Sequence, residues 1–307
     1  MTLDATPRAG ACPCCFSPSP SRRWGLVSPF LAERALLQPS QPVERLLCAS
    51  CGYSWTTRGL SDDEARRLYT GYRGEDYFRL RHRHEPWYSR AINDGIGDEQ
   101  QMVGRRAVLA QSLARAEAVF GPRPAGRVLD HGGDRGQMLR DLPDSERVVF
   151  DLSGVAPDPW ARAIDAETLA RDAGFDLIMN CQVLEHVNSP EAMLASLHAL
   201  IVPGGWAYLE VPNETWREAA IGGESARLGW LRFVCRHPRL LKTLDFLSTA
   251  LRIKLGWIPP LGFWALREHL NFFTPESLRL LMERAGFEVA FSDLSASGIS
   301  AVGRRRK

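Results

Sequence analysis

The sequence lacks the features that mark membrane-spanning, secreted and general nucleic-acid-binding proteins. No apolar run reaches the roughly 18 residues that a membrane-spanning helix needs, and residues 1–11 have no hydrophobic core that could serve as a signal peptide. A net charge of +2 with 24% charged residues is that of an ordinary soluble protein, so no nucleic-acid partner is predicted. We therefore expect a cytoplasmic location. A length of 307 residues is enough for one full-size α/β domain and a smaller one.

Cysteine is scarce, and four of the seven cysteines form two close pairs near the start of the chain. Cys12 with Cys15, and Cys48 with Cys51, each enclose two residues. In the cytoplasm such pairs favour metal binding over disulfides. Two C-x2-C turns can hold one tetrahedral Zn²⁺, and because all four ligand positions are then used, the site is predicted to be structural. Redox chemistry and free thiols are the alternatives.

The dinucleotide-binding fingerprint G-x-G-x-x-G is also missing, although a glycine-rich turn is present. In residues 127–136 an apolar run ends in Asp130 and leads into that turn, which is how open α/β sheets build a nucleotide site. The pattern is D-x-G-x-D-x-G, with Asp134 where a middle glycine could stand. A carboxylate there would repel a pyrophosphate and suits a cationic, phosphate-free ligand such as S-adenosylmethionine (SAM). A glycine-rich loop without a ligand is the alternative.

Acidic residues follow the next two predicted strands. Asp151 stands near the end of strand 147–152, where an acid accepts hydrogen bonds from ribose hydroxyls in this architecture. A turn-forming role is the alternative. Asp165 would end a short third strand, close to an adenine amino group. Residues 153–160 are too few for a full crossover helix, so we expect this part of the sheet to be trimmed.

A set of motifs resembles those of class I SAM-dependent methyltransferases, and the resemblance covers about residues 12–302. They lie at 128–132, 151, 175–178, 183–187, 202–206, 268–278 and 285–287. One branch of that family often carries an N-terminal four-cysteine zinc module and includes C-methyltransferases that act on nucleotide-linked deoxysugars. The resemblance implies an α/β fold with a Rossmann-like, doubly wound, mostly parallel seven-stranded sheet.

The resemblance also implies where the cofactor binds. The methionine end of SAM lies along the glycine turn, the acid after the second strand binds the ribose, and residues after the fourth strand line the pocket. The residues expected to bind SAM are Asp130, Gly132, Gly133, Asp134, Gly136, Asp151, Asp165, Gln182 and Val183.

His269 is the candidate catalytic residue. A neutral imidazole is poised for proton transfer near pH 7, and a general base is needed only if the acceptor must lose a proton. In the related sugar C-methyltransferases a histidine and a tyrosine near this region are implicated in deprotonation next to a keto group. The matching tyrosine is not evident in this sequence. A histidine that orients a loop is the alternative.

The predicted organisation has three parts and an insertion. Residues 1–60 form the zinc-binding module, 61–120 a helical connection and 121–307 the SAM-binding domain. Residues 213–267 are a helical insertion after the fifth strand, which lies over the acceptor site in this topology, so we predict a substrate-selecting lid. Because 214–266 is both basic and apolar, peripheral contact with the inner membrane surface is a second possibility.

The sequence as a whole predicts a SAM-dependent methyltransferase with a structural zinc ion. The expected acceptor is a small polar molecule, with a nucleotide- or lipid-linked sugar or saccharide intermediate favoured. The alternative is a non-catalytic scaffold that keeps the fold and binds a partner through the zinc module and the basic insertion.

Overall fold

The computed structural model describes residues 10–142, 145–219 and 222–306. The strands are β1 Ser21–Val27, β2 Pro42–Leu47, β3 Ser54–Thr56, β4 Arg127–His131, β5 Glu146–Phe150, β6 Arg162–Ala163, β7 Phe175–Cys181, β8 Ile201–Val211, β9 Arg217–Glu218, β10 Trp257–Ile258, β11 Ala265–Leu266, β12 Asn271–Phe272, β13 Phe287–Ser295 and β14 Gly298–Arg305. The α-helices are α1 Pro29–Leu31, α2 Asp62–Tyr69, α3 Glu75–His84, α4 Arg90–Gly95, α5 Glu99–Phe120, α6 Ala166–Arg171, α7 Pro190–Leu200, α8 Glu224–Cys235, α9 Pro238–Leu255 and α10 Pro275–Arg284. A π-helical turn, Ala32–Leu36, extends α1, and a 3₁₀ turn, Gln137–Leu139, follows β4.

Seven strands form the central sheet, in the order β13-β14-β8-β7-β4-β5-β6. Strands β4 to β8 run parallel, whereas β14 pairs antiparallel with β8 and β13 antiparallel with β14. The predicted mostly parallel seven-stranded sheet is confirmed. The strand order reverses at β4, between β5 and β7, and ligands of open α/β sheets bind outside the carboxyl ends of the strands at such a point.

Helices cover both faces of this sheet because the strands are apolar on both sides. In β8, Trp206 and Tyr208 pack in the cluster that contains Leu109 of α5. The alternate residues Ala207 and Leu209 belong to the cluster that includes side chains of α7 and α10. The edge beyond β5 is short, as expected: β6 has two residues and α6 has six.

The predicted zinc-binding module, called the zinc module below, does not form a sheet of its own. Its strands β1, β2 and β3 lie inside a five-stranded sheet with the order β11-β1-β2-β3-β12. Leu26 of β1 is in register with Ala265 of β11, and Trp55 of β3 with Asn271 of β12. Both outer strands come from the stretch that returns from the insertion. The predicted boundary at residue 60 therefore does not separate two independent sheets.

The insertion packs against this second sheet, not over the ligand cavity. Helices α8 and α9 share an apolar cluster with the zinc module, made of Leu26, Leu231, Val234, Leu241 and Phe263. No residue from 222–262 lines the large cavity described below. The lid predicted from the topology is thus in a different place, because pairing of β11 and β12 ties the insertion to the module. In the described part of the chain, no helix is long and apolar enough to cross a membrane.

The predicted helical connection forms the outer wall of the cavity. Helices α2 to α5 and their loops lie across the carboxyl ends of β4, β5 and β7 and contribute Tyr69, Arg73, Trp87, Tyr88 and Met102 to its lining. A capping box begins α2, with the Ser61 hydroxyl accepting from the Glu64 amide as the sequence predicts.

Candidate functional site

The four predicted metal ligands lie together. Cys12 Sγ is 3.6 Å from Cys51 Sγ, and Cys15 Sγ is 3.5 Å from Cys48 Sγ. Zn–S bonds of about 2.3 Å in a tetrahedron place sulfurs about 3.8 Å apart. The four sulfurs all lie within 4.8 Å of one another, so the cluster fits a tetrahedral ion.

The two cysteine pairs have matching backbone turns. The amide of Phe16 donates to the carbonyl of Cys12, and the amide of Gly52 donates in the same way to Cys48, both at 2.9 Å. Gly52 has φ +73°, and a Cβ there would be 2.6 Å from a methyl group of Thr274, so glycine is required on both grounds. Thr274, the N-cap of α10, also donates to the Cys51 carbonyl at 2.7 Å. The four-cysteine cluster is thereby joined to the main domain.

A cavity of about 1020 Å³ opens at the carboxyl ends of β4, β5 and β7. Of the residues predicted to bind the cofactor, seven line it: Asp130, Gly132, Gly133, Asp134, Asp151, Gln182 and Val183. His269 lines it as well.

The glycine turn is tightly packed beneath this cavity. A Cβ on Gly133 would lie 2.2 Å from Cγ of Asp130, and one on Gly132, where φ is +77°, would lie 2.4 Å from a methyl group of Val183. Neither position has room for a larger residue. The turn therefore brings bare backbone to the cavity, as a close-fitting ligand requires.

Asp134 takes the left-handed conformation, with φ +52°, that a glycine would adopt at low cost. Its backbone amide donates to the Asp151 carboxylate at 2.9 Å. Its own carboxylate lies 3.3 Å from Nε2 of Gln137, which donates to it, and 3.9 Å from the guanidinium of Arg73. Asp151 accepts a second backbone bond, from Ser153 at 2.7 Å. The two acids thus hold the loops of β4 and β5 together at the cavity wall.

Asp130 is buried without a partner. It is 1% exposed, and neither carboxylate oxygen has a hydrogen-bond partner among the described residues. Burial, only partly offset by Arg105, raises the pKa of Asp130 to about 7. A buried carboxylate without a partner is costly, so this position is suited to a ligand that brings positive charge.

After β7 the chain turns sharply at Gln182. Its φ is +60°, its amide donates to the Glu210 carbonyl at 2.7 Å, and its side chain reaches the Glu210 carboxylate at 3.2 Å. Positive φ in a residue other than glycine is a local strain that concentrates at functional sites. Here it directs Val183 toward the glycine turn.

Two of the predicted cofactor residues do not line the cavity. Asp165 is exposed, and its carboxylate caps α6 by accepting from the amide of Thr168 at 2.7 Å. Because α6 begins shortly after β6, Asp165 serves as the N-cap of this helix and lies away from the cavity. Gly136 adopts φ +80° and its carbonyl accepts from the indole of Trp160, which shapes the turn from outside the cavity.

His269 forms an ion pair that the sequence did not predict. Its Nδ1 lies 2.5 Å from Oε2 of Glu214, which Arg252 contacts from the other side at 3.0 Å. Burial acts to lower the pKa of His269, but the Glu214 carboxylate outweighs it and raises the pKa to about 9. This environment favours the protonated imidazole at neutral pH, whereas the sequence suggested a neutral base.

A second histidine stands beside it. The rings of His186 and His269 are 4.8 Å apart, centre to centre. His186 Nδ1 lies 3.0 Å from the hydroxyl of Tyr69 and 3.1 Å from the carbonyl of Glu268. Burial and the neighbouring His269 lower the pKa of His186 to about 4, so this imidazole is neutral.

Glu185 completes the group at this end of the cavity. It is fully buried, and its carboxylate oxygens make no hydrogen bond within the described chain. Burial raises the pKa of Glu185 to about 7, with a partial offset from the His269 charge. We call Glu185, His186 and His269 the acceptor-end cluster.

A family model described as "Methyltransferase domain" matches residues 103–290, which is more than half of the chain. The chain belongs to the class I SAM-dependent methyltransferases. The family assignment agrees with the strand order, the glycine turn and the position of the cavity.

Among curated relatives, a ubiquinone biosynthesis O-methyltransferase of Rhizobium rhizogenes is 30% identical over 138 residues, which are 41% of this chain and 54% of that protein. One of the same name from Burkholderia thailandensis is 33% identical over 91 residues, 27% of this chain and 39% of that protein. The chain thus spans about half or less of the length of these relatives.

A solved structure, the Burkholderia thailandensis 1,6-didemethyltoxoflavin-N1-methyltransferase with its substrate and S-adenosylhomocysteine, aligns with a TM-score of 0.40 and 20% identity. The alignment covers 71% of this methyltransferase and 84% of that chain. A similarity at this score does not indicate which acceptor the chain methylates.

Three residues of this methyltransferase's site were not predicted from the sequence. Glu214 is 55 positions from His269, and no local pattern links the two. Tyr69 comes from α2 and not from the region near His269, where the resemblance implied a tyrosine. Glu185 lies in a motif, but only the folded structure shows that its carboxylate has no hydrogen-bond partner among the described residues.

Proposed function

We propose that this methyltransferase transfers the methyl group of SAM to a small polar acceptor in the cavity. The observation that carries the proposal is the buried, unpaired carboxylate of Asp130 beneath a glycine turn with no room for side chains. SAM bears a sulfonium and an ammonium group and no phosphate. A cavity floor of bare backbone and unpaired carboxylate fits such a cation.

The residues that would hold SAM are those that line the β4, β5 and β7 side of the cavity. Gly132 and Gly133 would lie along the methionine end, with Asp130 and Asp134 supplying negative charge. Asp151 would accept the ribose hydroxyls, and Gln182 with Val183 would close the pocket. We leave out Asp165 and Gly136 because neither lines the cavity.

When bound, SAM supplies an activated methyl group whose leaving group needs no proton. The chain's main task is then to hold the acceptor in line with that methyl group. Positioning of this kind can lower a barrier by roughly 7–11 kcal/mol. The tyrosine and tryptophan side chains of the helical wall can do this while excluding water.

His269 is the catalytic residue in this proposal. Its protonated imidazole, held by Glu214, places a positive charge and an N–H donor at the acceptor end. That arrangement suits an acceptor oxygen that is already anionic when it enters the cavity, because the N–H donor and its charge hold that oxygen before the methyl group is transferred. It does not suit proton removal by His269 at neutral pH, which was the role expected from the sequence.

The acceptor class has two sources of support. The resemblance of the late motif to sugar C-methyltransferases favours a saccharide intermediate, and the curated relatives are named for O-methylation in ubiquinone biosynthesis. Both classes offer an oxygen next to the methylated position, which His269 can contact. We therefore propose an oxygen-bearing acceptor, with a sugar or saccharide intermediate as the favoured case.

We further propose that the insertion contacts an anionic membrane surface, which would place the protein at the cytoplasmic face of the inner membrane. Helices α8 and α9 and the turn between them expose both basic and large apolar side chains: Arg232, Phe233, Arg236, Arg239, Lys242, Phe246, Leu247, Ile253, Lys254 and Leu255. Such a surface binds anionic lipid by charge and by shallow burial of apolar groups. Co-sedimentation with vesicles of phosphatidylglycerol, but not of phosphatidylcholine, is expected, and equal recovery with both would refute it.

A methyl-transfer screen tests the enzymatic proposal. The zinc-loaded chain is incubated with SAM and with nucleotide sugars, lipid-linked saccharides or small phenols, and S-adenosylhomocysteine release is measured. We expect turnover that falls in His269→Asn. Turnover confined to phenols would refute the saccharide acceptor. SAM binding without turnover on any acceptor would favour the scaffold.

A further inference from the structure

We propose that Glu185, His186 and His269 bind a divalent metal ion at the acceptor end of the cavity. This site is separate from the four-cysteine cluster and uses nitrogen and oxygen ligands. Binding of the ion does not depend on methyl transfer, whereas its effect on the acceptor rests on the function proposed above.

The ligand set is already assembled. The three side chains each offer one ligand atom, and these atoms all lie within 4.8 Å of one another. Oε1 of Glu185 is 3.7 Å from Nε2 of His186. Two atoms bound to one ion at about 2.1 Å lie about 3.0–4.2 Å apart, so a small side-chain movement brings the three groups around one ion.

Both imidazoles are held as metal ligands usually are. A ligating histidine commonly donates its second ring N–H to a carboxylate or a backbone carbonyl, which fixes the ring. His269 uses Nδ1 toward the Glu214 carboxylate, and His186 uses Nδ1 toward the Glu268 carbonyl, with the Tyr69 hydroxyl as a second acceptor. In both rings Nε2 is therefore the atom left for an ion. Arg252 holds Glu214 in turn, which adds a further supporting contact.

The carboxylate supplies an independent observation. Glu185 is 0% exposed, lines the cavity, and has no hydrogen-bond partner on either oxygen in the part of the chain that the structure describes. A buried carboxylate is retained at a cost unless it is paired or coordinates a metal. The two histidine rings beside it point to the second use.

The donor set indicates the class of ion. Two imidazoles and one carboxylate suit Zn²⁺, Fe²⁺ or Mn²⁺, whereas Mg²⁺ and Ca²⁺ prefer oxygen ligands throughout. Three protein ligands leave positions open for water or a substrate oxygen. An ion at this point would bind the acceptor oxygen and withdraw charge from it, and it would take the place of the proton on Nε2 of His269.

Titration with Mn²⁺ tests the proposal without interference from the cysteines, because thiolates select softer ions such as Zn²⁺. The full chain, loaded with one equivalent of zinc so that the ion occupies the four cysteines, is titrated in the absence of SAM, and free Mn²⁺ is measured by its electron paramagnetic resonance signal. We expect one Mn²⁺ per wild-type chain. Glu185→Gln should weaken binding by at least about 100-fold and Glu214→Gln by about 10–100-fold, the range for loss of a supporting contact.

Asp130→Asn is the matched control, because it removes another buried, unpaired cavity carboxylate that has no pair of histidines beside it. It should bind Mn²⁺ like the wild type. A second measurement counts the zinc that remains bound when chains loaded with excess zinc are dialysed. We expect two ions per wild-type chain and one per Glu185→Gln chain. One zinc and no Mn²⁺ in the wild type would overturn the proposal, as would equal loss in Asp130→Asn.

Calorimetry with SAM separates this proposal from the proposed function. Glu185→Gln should still bind SAM, because glutamine keeps the size of the side chain and none of the proposed cofactor residues forms a hydrogen bond with the Glu185 carboxylate. A wild-type chain that binds Mn²⁺ but not SAM would refute the proposed function and leave the metal site standing.

Discussion

At the scale of single residues, Asp130 shows how a ligand site is built at the expense of stability. Its carboxylate is buried and unpaired, and its folded pKa of about 7 lies above the ordinary 3.8. Folding therefore favours the protonated form. The contribution of Asp130 to the free energy of unfolding falls as pH rises from about 4 to about 7. Above pH 7 the full cost of burying the charged carboxylate remains.

Because the charged form of Asp130 destabilises the folded protein, we predict that removing the charge stabilises it. Asp130→Asn should unfold at a higher urea concentration than the wild type at pH 8, and the difference should shrink toward pH 5, because each unit of pKa shift is worth about 1.4 kcal/mol. The same variant should gain less stability from added SAM. Urea unfolding followed by circular dichroism measures both effects.

Asp151→Asn is the control for that experiment, with the opposite sign. Its carboxylate accepts two backbone bonds, from Asp134 and Ser153, so its loss should destabilise the protein. An Asp130→Asn protein that is less stable than the wild type at pH 8 would contradict the account of this residue.

A second residue-scale prediction concerns the glycine turn. Gly133→Ala places a Cβ 2.2 Å from the carboxyl carbon of Asp130, so the loop must move. Overpacking of this kind costs about 1–3 kcal/mol, and SAM affinity measured by calorimetry should fall about tenfold or more. Gly229→Ala is the matched control, since a Cβ at Gly229 in α8 meets nothing within 4 Å. Equal affinity in both variants would argue against a ligand along this turn.

At the scale of elements, the shared five-stranded sheet is the main departure from the predicted organisation. Because β12 pairs with β3 and lies two residues after His269, loss of zinc should reach the cavity. We predict that Cys48→Ser lowers the melting temperature in a single calorimetric transition and weakens SAM binding. Cys235→Ser, which lies outside the cluster, should do neither. Two separate transitions would show that the module melts alone.

A buried ion network fixes the same region. Arg267 contacts Glu85 at 2.6 Å and Asp245 at 2.8 Å, joining the loop before His269 to α9. Arg267→Met should lower the free energy of unfolding by about 3–5 kcal/mol, because it leaves buried carboxylates without their partner. Arg279→Met removes an exposed arginine that also pairs with two carboxylates and should cost about 1 kcal/mol or less. Similar losses in both variants, measured in urea, would contradict this role.

The features that could be predicted from the sequence are those that depend on local interactions. The glycine turn, the parallel strands and the cysteine pairs are set by residues near one another in sequence, and the structure agrees with them. The position of the insertion depends on β11 and β12, each only two residues long. Strands this short leave no periodicity in a sequence, so their pairing with the zinc module was not predictable.

The candidate site was predictable in part for the same reason. Residues after β4, β5 and β7 meet at one sheet edge by topology alone, which is why most of the cofactor residues line one cavity. The partner of His269 comes from the start of the insertion, and the Tyr69 hydroxyl comes from α2. Those contacts depend on how elements distant in sequence pack together. The contact with Glu214 in turn favours the protonated form of His269.

At the scale of the whole molecule, the net charge of +2 conceals an uneven distribution of acids and bases. Five acids line the cavity with three arginines: Asp130, Asp134, Asp151, Glu185 and Glu268 with Arg73, Arg81 and Arg105. Helices α8 and α9 carry basic charge on the outside. We expect the acidic excess to favour a cationic cofactor in the cavity and the basic surface to favour an anionic partner.

Isothermal titration calorimetry of the zinc-loaded chain with SAM and with S-adenosylhomocysteine shows whether the cavity binds the cofactor. We predict one binding site per chain for each ligand, with affinity for SAM lowered about 10–100-fold in Asp151→Ala by the loss of hydrogen bonds to a charged group. No heat of binding with either ligand, or an Asp151→Ala protein that binds like the wild type, would contradict SAM binding in this cavity.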